Sequence, residues 1–392
     1  MNLRWLVSKK TRDACTVHKH YRRLLAAQRD VLPPQAITPV QAALDKLAAA
    51  IQQGAKSEDL IARCNELQAA AEKWLKPYPN ASWRENVEVL LVALAVAMGI
   101  RTFFLQPFKI PTGSMQPTLF GVMHDNLINR PDVQIPTGWQ RVREWFAGYT
   151  YLHVTAPVDG AVEAVSPPHK FLIFNIWQTI TIGGETLTIW FPPDYGDERE
   201  SLQYRAGLVQ GQMYRKGEDV IKLLMKAGDH LFVDRITYNF RKPERGEIVV
   251  FATAGTAIEQ QDEFYIKRLT VLPNERVSIG DDRHLVINGV RLDASTPRFE
   301  KVYGFDPKTP PRESHYSGHL NGTVAAQYNV PAVAPLFPDQ DTVVSNGPDS
   351  YMMMGDNTCN SLDSRTWGPA PTRNVIGKSF FVYWPLTDRF GL

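Results

Sequence analysis

Two residues in this chain have types and settings that suit joint chemistry. Ser114 sits in a turn-rich frame, Phe108-Lys-Ile-Pro-Thr-Gly-Ser-Met-Gln-Pro-Thr-Leu119, and Lys267 is an amine in an apolar strand, Phe264-Tyr-Ile-Lys-Arg-Leu269. A serine hydroxyl is a weak nucleophile until a base takes its proton. Lysine is a base only when neutral, so its pKa must fall from ~10.4, which desolvation achieves. Strand alternation puts Tyr265, Lys267 and Leu269 on one face. That pattern leaves two readings of Lys267, a buried functional amine or a guard on an edge strand. Other hydrolytic signatures are missing: no serine lies in G-x-S-x-G and no H-E-x-x-H occurs. His315 and His319 lie four apart in a Pro/Gly/Ser loop and read as solvated.

The serine follows an apolar segment, Val87 to Leu105, with Glu88 and Arg101 near its ends. As a helix it is about 28 Å long, close to the ~30 Å hydrocarbon core of a bilayer. Trp83, Phe103 and Phe104 flank it as interfacial aromatics do. The clean apolar run is shorter, Val89 to Ile100, so a buried core helix is the alternative. Lys73, Lys76 and Arg84 precede the segment, and Arg101 and Lys109 follow, a bias that places the N-terminus in the cytoplasm.

Before the segment, Val40, Leu44, Leu47 and Ile51, then Leu60, Ile61, Cys64, Leu67 and Ala71, recur at helical spacing and predict a helical hairpin. After Gln106 the pattern alternates as strands do. Thr179–Ile189 turns about Gly183-Gly184, and His284–Leu292 turns about Asn288-Gly289. Further strands are expected at Asp229–Asp234, Gly246–Phe251 and Lys378–Trp384. The outer part is therefore mostly β, a barrel or folded-sheet arrangement.

The net charge is +2 in 392 residues. Residues 1–86 hold 14 Lys+Arg against 8 Asp+Glu, a balance of +6, and the remainder hold 29 against 33, a balance of −4. The basic residues are scattered along the sequence, which argues against a nucleic-acid footprint. Cys15, Cys64 and Cys359 match no metal or redox spacing and read as free thiols.

Lys109-Ile-Pro-Thr-Gly-Ser-Met-Gln-Pro-Thr-Leu119 after an apolar anchor resembles the nucleophile segment of the bacterial type I signal peptidases. Gly228-Asp-His-Leu-Phe-Val-Asp-Arg-Ile-Thr-Tyr238, Arg245–Phe251, Tyr265–Leu269 with the Asn288-Gly289 hairpin, and Gly355-Asp-Asn-Thr-Cys-Asn-Ser-Leu-Asp-Ser-Arg-Thr-Trp-Gly368 resemble that family's later segments in order. The resemblance covers about residues 86–120 and 228–385. It implies Ser114 as nucleophile and Lys267 as general base, with Ser361 orienting the amine and Asp363 and Arg365 as a supporting ion pair. It also implies the Ser114 N–H and the Thr112 hydroxyl as oxyanion donors. Phe108, Ile110, Met115, Leu119, Tyr265 and Ile266 match its substrate-pocket segments, and each is equally readable as core.

The fold so implied is a mainly β catalytic domain of folded antiparallel sheets, residues 106–392. It carries one transmembrane helix at 86–105 and a helical cytoplasmic segment at 1–85. Its expected partners are signal-peptide-bearing preproteins and the phospholipid bilayer, at the bacterial inner membrane with the catalytic domain outside. No metal, cofactor or nucleic acid is implied. Residues 121–227 depart from the family pattern. They read either as an accessory β subdomain that seats the enzyme on lipid or shapes substrate access, or as a self-contained insertion with a small aromatic core, with Trp139, Trp145, Trp177 and Trp190 in the stretch. The stretch Gly318–Pro348 is a second insertion. Two other functions stay open: a Ser-Lys protease for one dedicated substrate, and a catalytically silent scaffold.

Overall fold

The structure is a computed structural model describing residues 8–75, 81–172, 174–194, 200–258, 261–312, 315–330 and 334–391. Lys76, one of the cations expected to bias orientation, lies outside them. The chain divides into two compact units, Met1–Leu94 and Ala95–Leu392.

The first unit holds three packed helices, α1 (Lys9–Gln28), α2 (Pro34–Gln53) and α3 (Ser57–Trp74). Pro34 opens α2, and Gly54 closes it in the left-handed region at φ 66°, where a glycine has no Cβ to clash. Val40, Leu44, Leu47, Leu60 and Leu67 form the core, joined by Ala14 and Leu25 of α1. The expected hairpin is thus one helix short. The buried positions of α1 are Thr11, Ala14, Leu25 and Gln28, so polar and small residues on its inward face leave its apolar periodicity weak in the sequence.

Helix α4 (Ala81–Phe103) follows. Its stretch Trp83–Phe103 has no buried residue, and Val89, Leu90, Leu91 and Leu94 are all exposed. A core helix of a soluble domain would be covered on at least one face, so the core-helix alternative fails. The helix stops at Phe103, and Leu105 already opens the first strand.

Seven strands make the main antiparallel sheet, in the order β1 (Leu105–Lys109), β10 (His230–Asp234), β19 (Val375–Trp384), β11 (Ile248–Ala252), β12 (Phe264–Val271), β17 (Ser350–Met354) and β18 (Ala370–Pro371). Alternation along β11 shows how it divides two cores. Val249 and Phe251 face a cluster with Leu269, Met353 and Trp367, while Val250 faces Ile110, Met115, Leu119 and Leu231. A second sheet runs β15 (Val290–Arg291), β14 (Leu285–Ile287), β13 (Arg276–Ile279) and β16 (Val344–Ser345). Phe337, from the Gly318–Pro348 stretch, is buried in that sheet's core. Asn288 and Gly289 both take positive φ in the two-residue turn between β14 and β15, as an Asn-Gly hairpin requires.

The remaining strands lie in the 121–227 region. β2 (Met123–Asn126), β9 (Asp219–Lys226) and β3 (Tyr149–Thr155) form one sheet. β5 (His169–Phe171), β6 (Phe174–Ile182), β4 (Gly160–Val165) and β8 (Met213–Tyr214) form another, with β7 (Glu185–Trp190) paired to β6 through the Gly183-Gly184 turn. Their shared core is mostly aliphatic, including Val162, Ile180, Ile182 and Leu223, with Tyr214 as its buried aromatic. The aromatic-core reading is therefore corrected: Trp139, Trp145 and Trp190 are 80%, 53% and 63% exposed. Alternation on β7 buries Ile189 and turns Trp190 outward. His319, expected in solvent, is also corrected. It is fully buried against the Tyr303 hydroxyl at 3.0 Å, and burial pushes its pKa down to about 3.

Candidate active site

Ser114 is placed by a single tight turn, Gly113–Met115, at the end of the loop that leaves β1. The loop doubles back on itself, with the Val122 N–H donating to the Pro111 carbonyl at 3.1 Å. Gly121 permits that approach, since a Cβ there would lie 2.2 Å from the Thr112 backbone. Ser114 is consequently 5% exposed and Met115 fully buried.

Lys267 lies in β12, opposite Val249 of β11. β17 pairs with β12 only from Arg268 onward, so Lys267 is laddered to β11 alone, and the edge-guard reading fails on burial: a guard would face solvent. The lysine is 5% exposed, and its Nζ lies 2.7 Å from Ser114 Oγ. Burial lowers its pKa to about 8; the charges of Asp363 and Asp356 oppose that shift and Arg365 reinforces it. Both carboxylates are already matched by guanidinium groups. An unpaired carboxylate here would hold the amine protonated.

The first pair is Asp363 with Arg365, both 0% exposed. Arg365 Nε donates to Asp363 Oδ1 at 2.9 Å and Nη2 to Oδ2 at 2.8 Å. Burial works against the charge of Asp363, but the Arg365 guanidinium and hydrogen bonds from the Gly355 N–H and Ser361 hold its carboxyl below the usual range. The Ser361 hydroxyl donates to Asp363 Oδ2 at 2.7 Å. Its proton is thus committed to the carboxylate; among the described residues the hydrogen bond of the Lys267 amine is to Ser114.

The second pair was not legible in the sequence. Arg268 follows Lys267 and, by alternation, points to the opposite face of β12. It donates to Asp356 Oδ1 at 2.7 Å and Oδ2 at 2.6 Å, and the Thr118 hydroxyl donates to the same Oδ2 at 2.6 Å. Thr118 is four residues past Ser114, so this network ties the serine loop to the last motif. Asn357 adds a second tie. Its N–H donates to the Ser114 carbonyl at 3.0 Å and its Nδ2 to the Gly113 carbonyl at 3.1 Å. Asp356 and Asn357 stand inside a quoted motif, but only the fold reveals what they reach.

Gly355 sits at the crossing of these parts. A Cβ there would be 2.1 Å from Ser361 Oγ and 2.5 Å from the Ser114 carbonyl oxygen. The serine can rotate, but the Ser114 carbonyl moves only with its backbone. Gly355→Ala is expected to lower kcat by about a hundredfold or more through displacement of Ser114. Single-turnover kinetics beside a circular dichroism spectrum would separate that from unfolding.

Thr112 Oγ1 lies 3.4 Å from Ser114 Oγ. The two residues border a cleft of about 670 Å³ that is also lined by Tyr265, Ile266, Ser361 and Leu362. Of the six expected pocket residues, then, Tyr265 and Ile266 reach it. Phe108 packs edge-on against Phe264, which also lines the cleft, at 5.8 Å between ring centroids. Ile110, Met115 and Leu119 do not line the cleft; they are 2%, 0% and 1% exposed and packed against Leu231, Val233 and Val250. The turn that presents Ser114 outward drives its apolar neighbours inward. Glu263 also lines the cleft without a sequence signal, as do Cys359 and Leu362, which stand in the Gly355–Gly368 motif but carry no implied role there.

One row of strand partners relates the site to the end of α4. Leu105 pairs with Asp234, Asp234 with Lys378, Lys378 with Val249, and Val249 with Lys267. Four strand spacings of ~4.8 Å set Lys267 about 19 Å across the sheet from Leu105.

The family model described as signal peptidase, peptidase S26, matches residues 83–130 and 213–384 of this chain. The unmatched stretch between them falls within the inserted sheets. The signal peptidase I of Leptolyngbya laminosa is 30% identical over 171 residues, covering 43% of this chain and 65% of that protein. The signal peptidase I of Pseudomonas aeruginosa is 28% identical over 208 residues, covering 47% of this chain and 68% of that one. The chain thus spans about two thirds of the length of these relatives. A signal peptidase I crystal structure from Enterococcus faecalis V583 covers 35% of this chain and 97% of its own, at 23% identity and a TM-score of 0.23.

Proposed function

The chain belongs to the signal peptidase family, peptidase S26, and from that premise we propose that it is a membrane-bound serine endopeptidase that removes N-terminal signal peptides from exported preproteins after small residues. The observation that carries this reading is the 2.7 Å approach of a buried amine to the Ser114 hydroxyl. In the proposed reaction neutral Lys267 takes the Ser114 proton as Oγ attacks the scissile carbonyl carbon. The oxyanion is met by the Ser114 N–H and the Thr112 hydroxyl. The lysine ammonium then gives its proton to the leaving amine, and an acyl-enzyme ester remains. The same amine, neutral again, takes a proton from the water that hydrolyses the ester. Ser361 acts through Asp363, and Arg365 keeps that carboxylate charged.

Substrate binding follows from an open backbone edge. β17 pairs with β12 only from Arg268 onward, so among the described residues Phe264, Tyr265, Ile266 and Lys267 are laddered on the β11 side alone. An extended peptide added there runs past Ser114. We assign α4 to the bilayer, with the N-terminal unit in the cytoplasm and the β unit on the outer face of a bacterial inner membrane. Phe171, Leu172, Phe174 and Phe191, all more than half exposed at the edge of the inserted sheets, fit a lipid seat for that subdomain.

The test is cleavage of a preprotein with an Ala-x-Ala site by the detergent-purified protein beside Ser114→Ala. Cleavage after the second alanine by the wild type alone supports the reading. No cleavage of several preproteins by a folded wild type, up to alkaline pH, sinks it in favour of a dedicated protease or a silent scaffold. Only the neutral amine is a base, so kcat/KM should rise with pH and level off above about 8. Two units below that pKa the rate should be about a hundredfold lower. A profile flat between pH 6 and 9 would show that Lys267 is not the base.

A further inference from the structure

The cations that look dispersed in the sequence gather on one helix. Lys9, Arg12, Lys19, Arg22 and Arg23 all belong to α1 and all are exposed. At 3.6 residues per turn, Arg12, Lys19 and Arg23 fall within about 40° of one another around the axis, flanked by Lys9 and Arg22. The row is about 21 Å long at 1.5 Å per residue. The opposite face carries Ala14, Val17, Leu24 and Leu25, which are packed on the other helices of the unit. Asp13 is the only acid in α1. Among the described residues none of the five cations enters an ion pair, whereas Lys46 and Arg63 of α2 and α3 both pair with Glu66. The stripe is therefore a field of one sign, held rigidly by the packing behind it.

We infer that this stripe docks on anionic phospholipid headgroups of the leaflet nearest the N-terminal unit. The inference rests on the assignment of α4 to the bilayer. Five residues, 76–80, separate the last described residue of the helical unit from Ala81, the first of α4. Even fully extended, those six peptide steps reach about 21 Å. The unit is thus tethered to the membrane surface, where a contact too weak to recruit a free protein is populated because its effective concentration is high. Phosphate-bearing lipid complements the stripe in charge. A nucleic acid would also, but nothing holds one within reach, and among the described residues of α1 there is no exposed Phe, Tyr or Trp on which bases could stack, while the His20 ring beside the stripe is engaged edge-on with Tyr21.

The experiment uses the full chain in lipid nanodiscs of phosphatidylcholine, with and without phosphatidylglycerol. Reactivity of Lys9 and Lys19 toward an amine-acylating reagent is read by peptide mass spectrometry, with exposed Lys216 of the β unit as control. Severalfold protection in the anionic discs is expected, reversed by high salt and absent in Arg12→Gln/Arg22→Gln/Arg23→Gln with unchanged circular dichroism. Equal reactivity in the two lipids overturns the inference. Protection by added double-stranded RNA in neutral discs, without protection by phosphatidylglycerol, replaces it with a nucleic-acid site. Preprotein cleavage in the same discs should survive the triple substitution. Loss of cleavage by the wild type with lipid protection retained would count against the peptidase reading alone, and a chain that fails to enter discs overturns both the membrane assignment and the stripe's partner.

Discussion

Lys267→Met should abolish preprotein cleavage and at the same time make the protein harder to unfold. The first effect follows from loss of the only base 2.7 Å from Ser114 Oγ. A positioned general base contributes about 10²–10⁴-fold, and more when nucleophile and base act as a unit, so a fall of at least about a thousandfold in kcat is expected. The second effect comes from linkage. The folded pKa of about 8 lies below the unfolded value near 10.5, so folding penalises the charged amine. That penalty is fully present below pH 8, where both states are protonated, and disappears as pH rises through 10.5, where both are neutral. The difference between the two values amounts to roughly 3 kcal/mol. Methionine fills similar volume without charge. Denaturant titration of the β unit at pH 7 should find the variant more stable, with the gap closing toward pH 11. Retained cleavage would remove Lys267 from the reaction. A loss of stability instead would mean that the amine is held as a structural cation.

Arg365→Met should act in the opposite sense, on stability first. Arg365 is fully buried, donates twice to Asp363, and reaches Thr358 through Oγ1 and, at 3.2 Å, the backbone carbonyl. Removing it leaves a carboxylate with no solvent and no counter-charge, which costs about 3–5 kcal/mol. Asp363 would then take up a proton near neutral pH, its hold on the Ser361 hydroxyl and the Gly355 N–H would weaken, and activity would fall with it. Adding Asp363→Asn to Arg365→Met should recover part of the lost stability, because the buried charge is gone. A double variant no more stable than Arg365→Met alone would contradict this account. The wild-type pair also sets an acid limit. A carboxyl held below its ordinary value contributes stability that is complete above about pH 4 and is lost as pH falls through the folded pKa.

Much of the site was legible in the residues. Ser114, Lys267 and the Gly355–Gly368 motif are local signatures, and the two hairpin turns carry their own chemistry in Gly183-Gly184 and Asn288-Gly289. The apolar run of α4 needs no partner to be read, because length and composition alone set it apart. What local pattern left undecided were readings that depend on neighbours distant in sequence. Ile110, Met115 and Leu119 are apolar whether they line a cleft or fill a core, and the side of the loop on which Ser114 emerges decides between the two. Arg268, Asp356 and Thr118 meet across as many as 238 positions of chain, and no periodicity encodes such a meeting. The Trp190 ring lies outside because Ile189 takes the inward position on the same strand.

Local pattern therefore determined which residues could react, where the chain is apolar enough to cross a bilayer, and where it turns, since each of these depends on a few adjacent side chains. Tertiary structure alone decided that Lys267 is a base candidate and not an edge guard. A lysine on a strand face has the same sequence signature in both cases, and only the folded packing buries Lys267 against Ser114 at a point where β12 is paired to β11 alone. That packing removes water from the amine, lowers its pKa toward 8 and brings Ser114 to it from 153 residues away. It also pairs Asp363 and Asp356 each with an arginine, so that the amine can lose its proton.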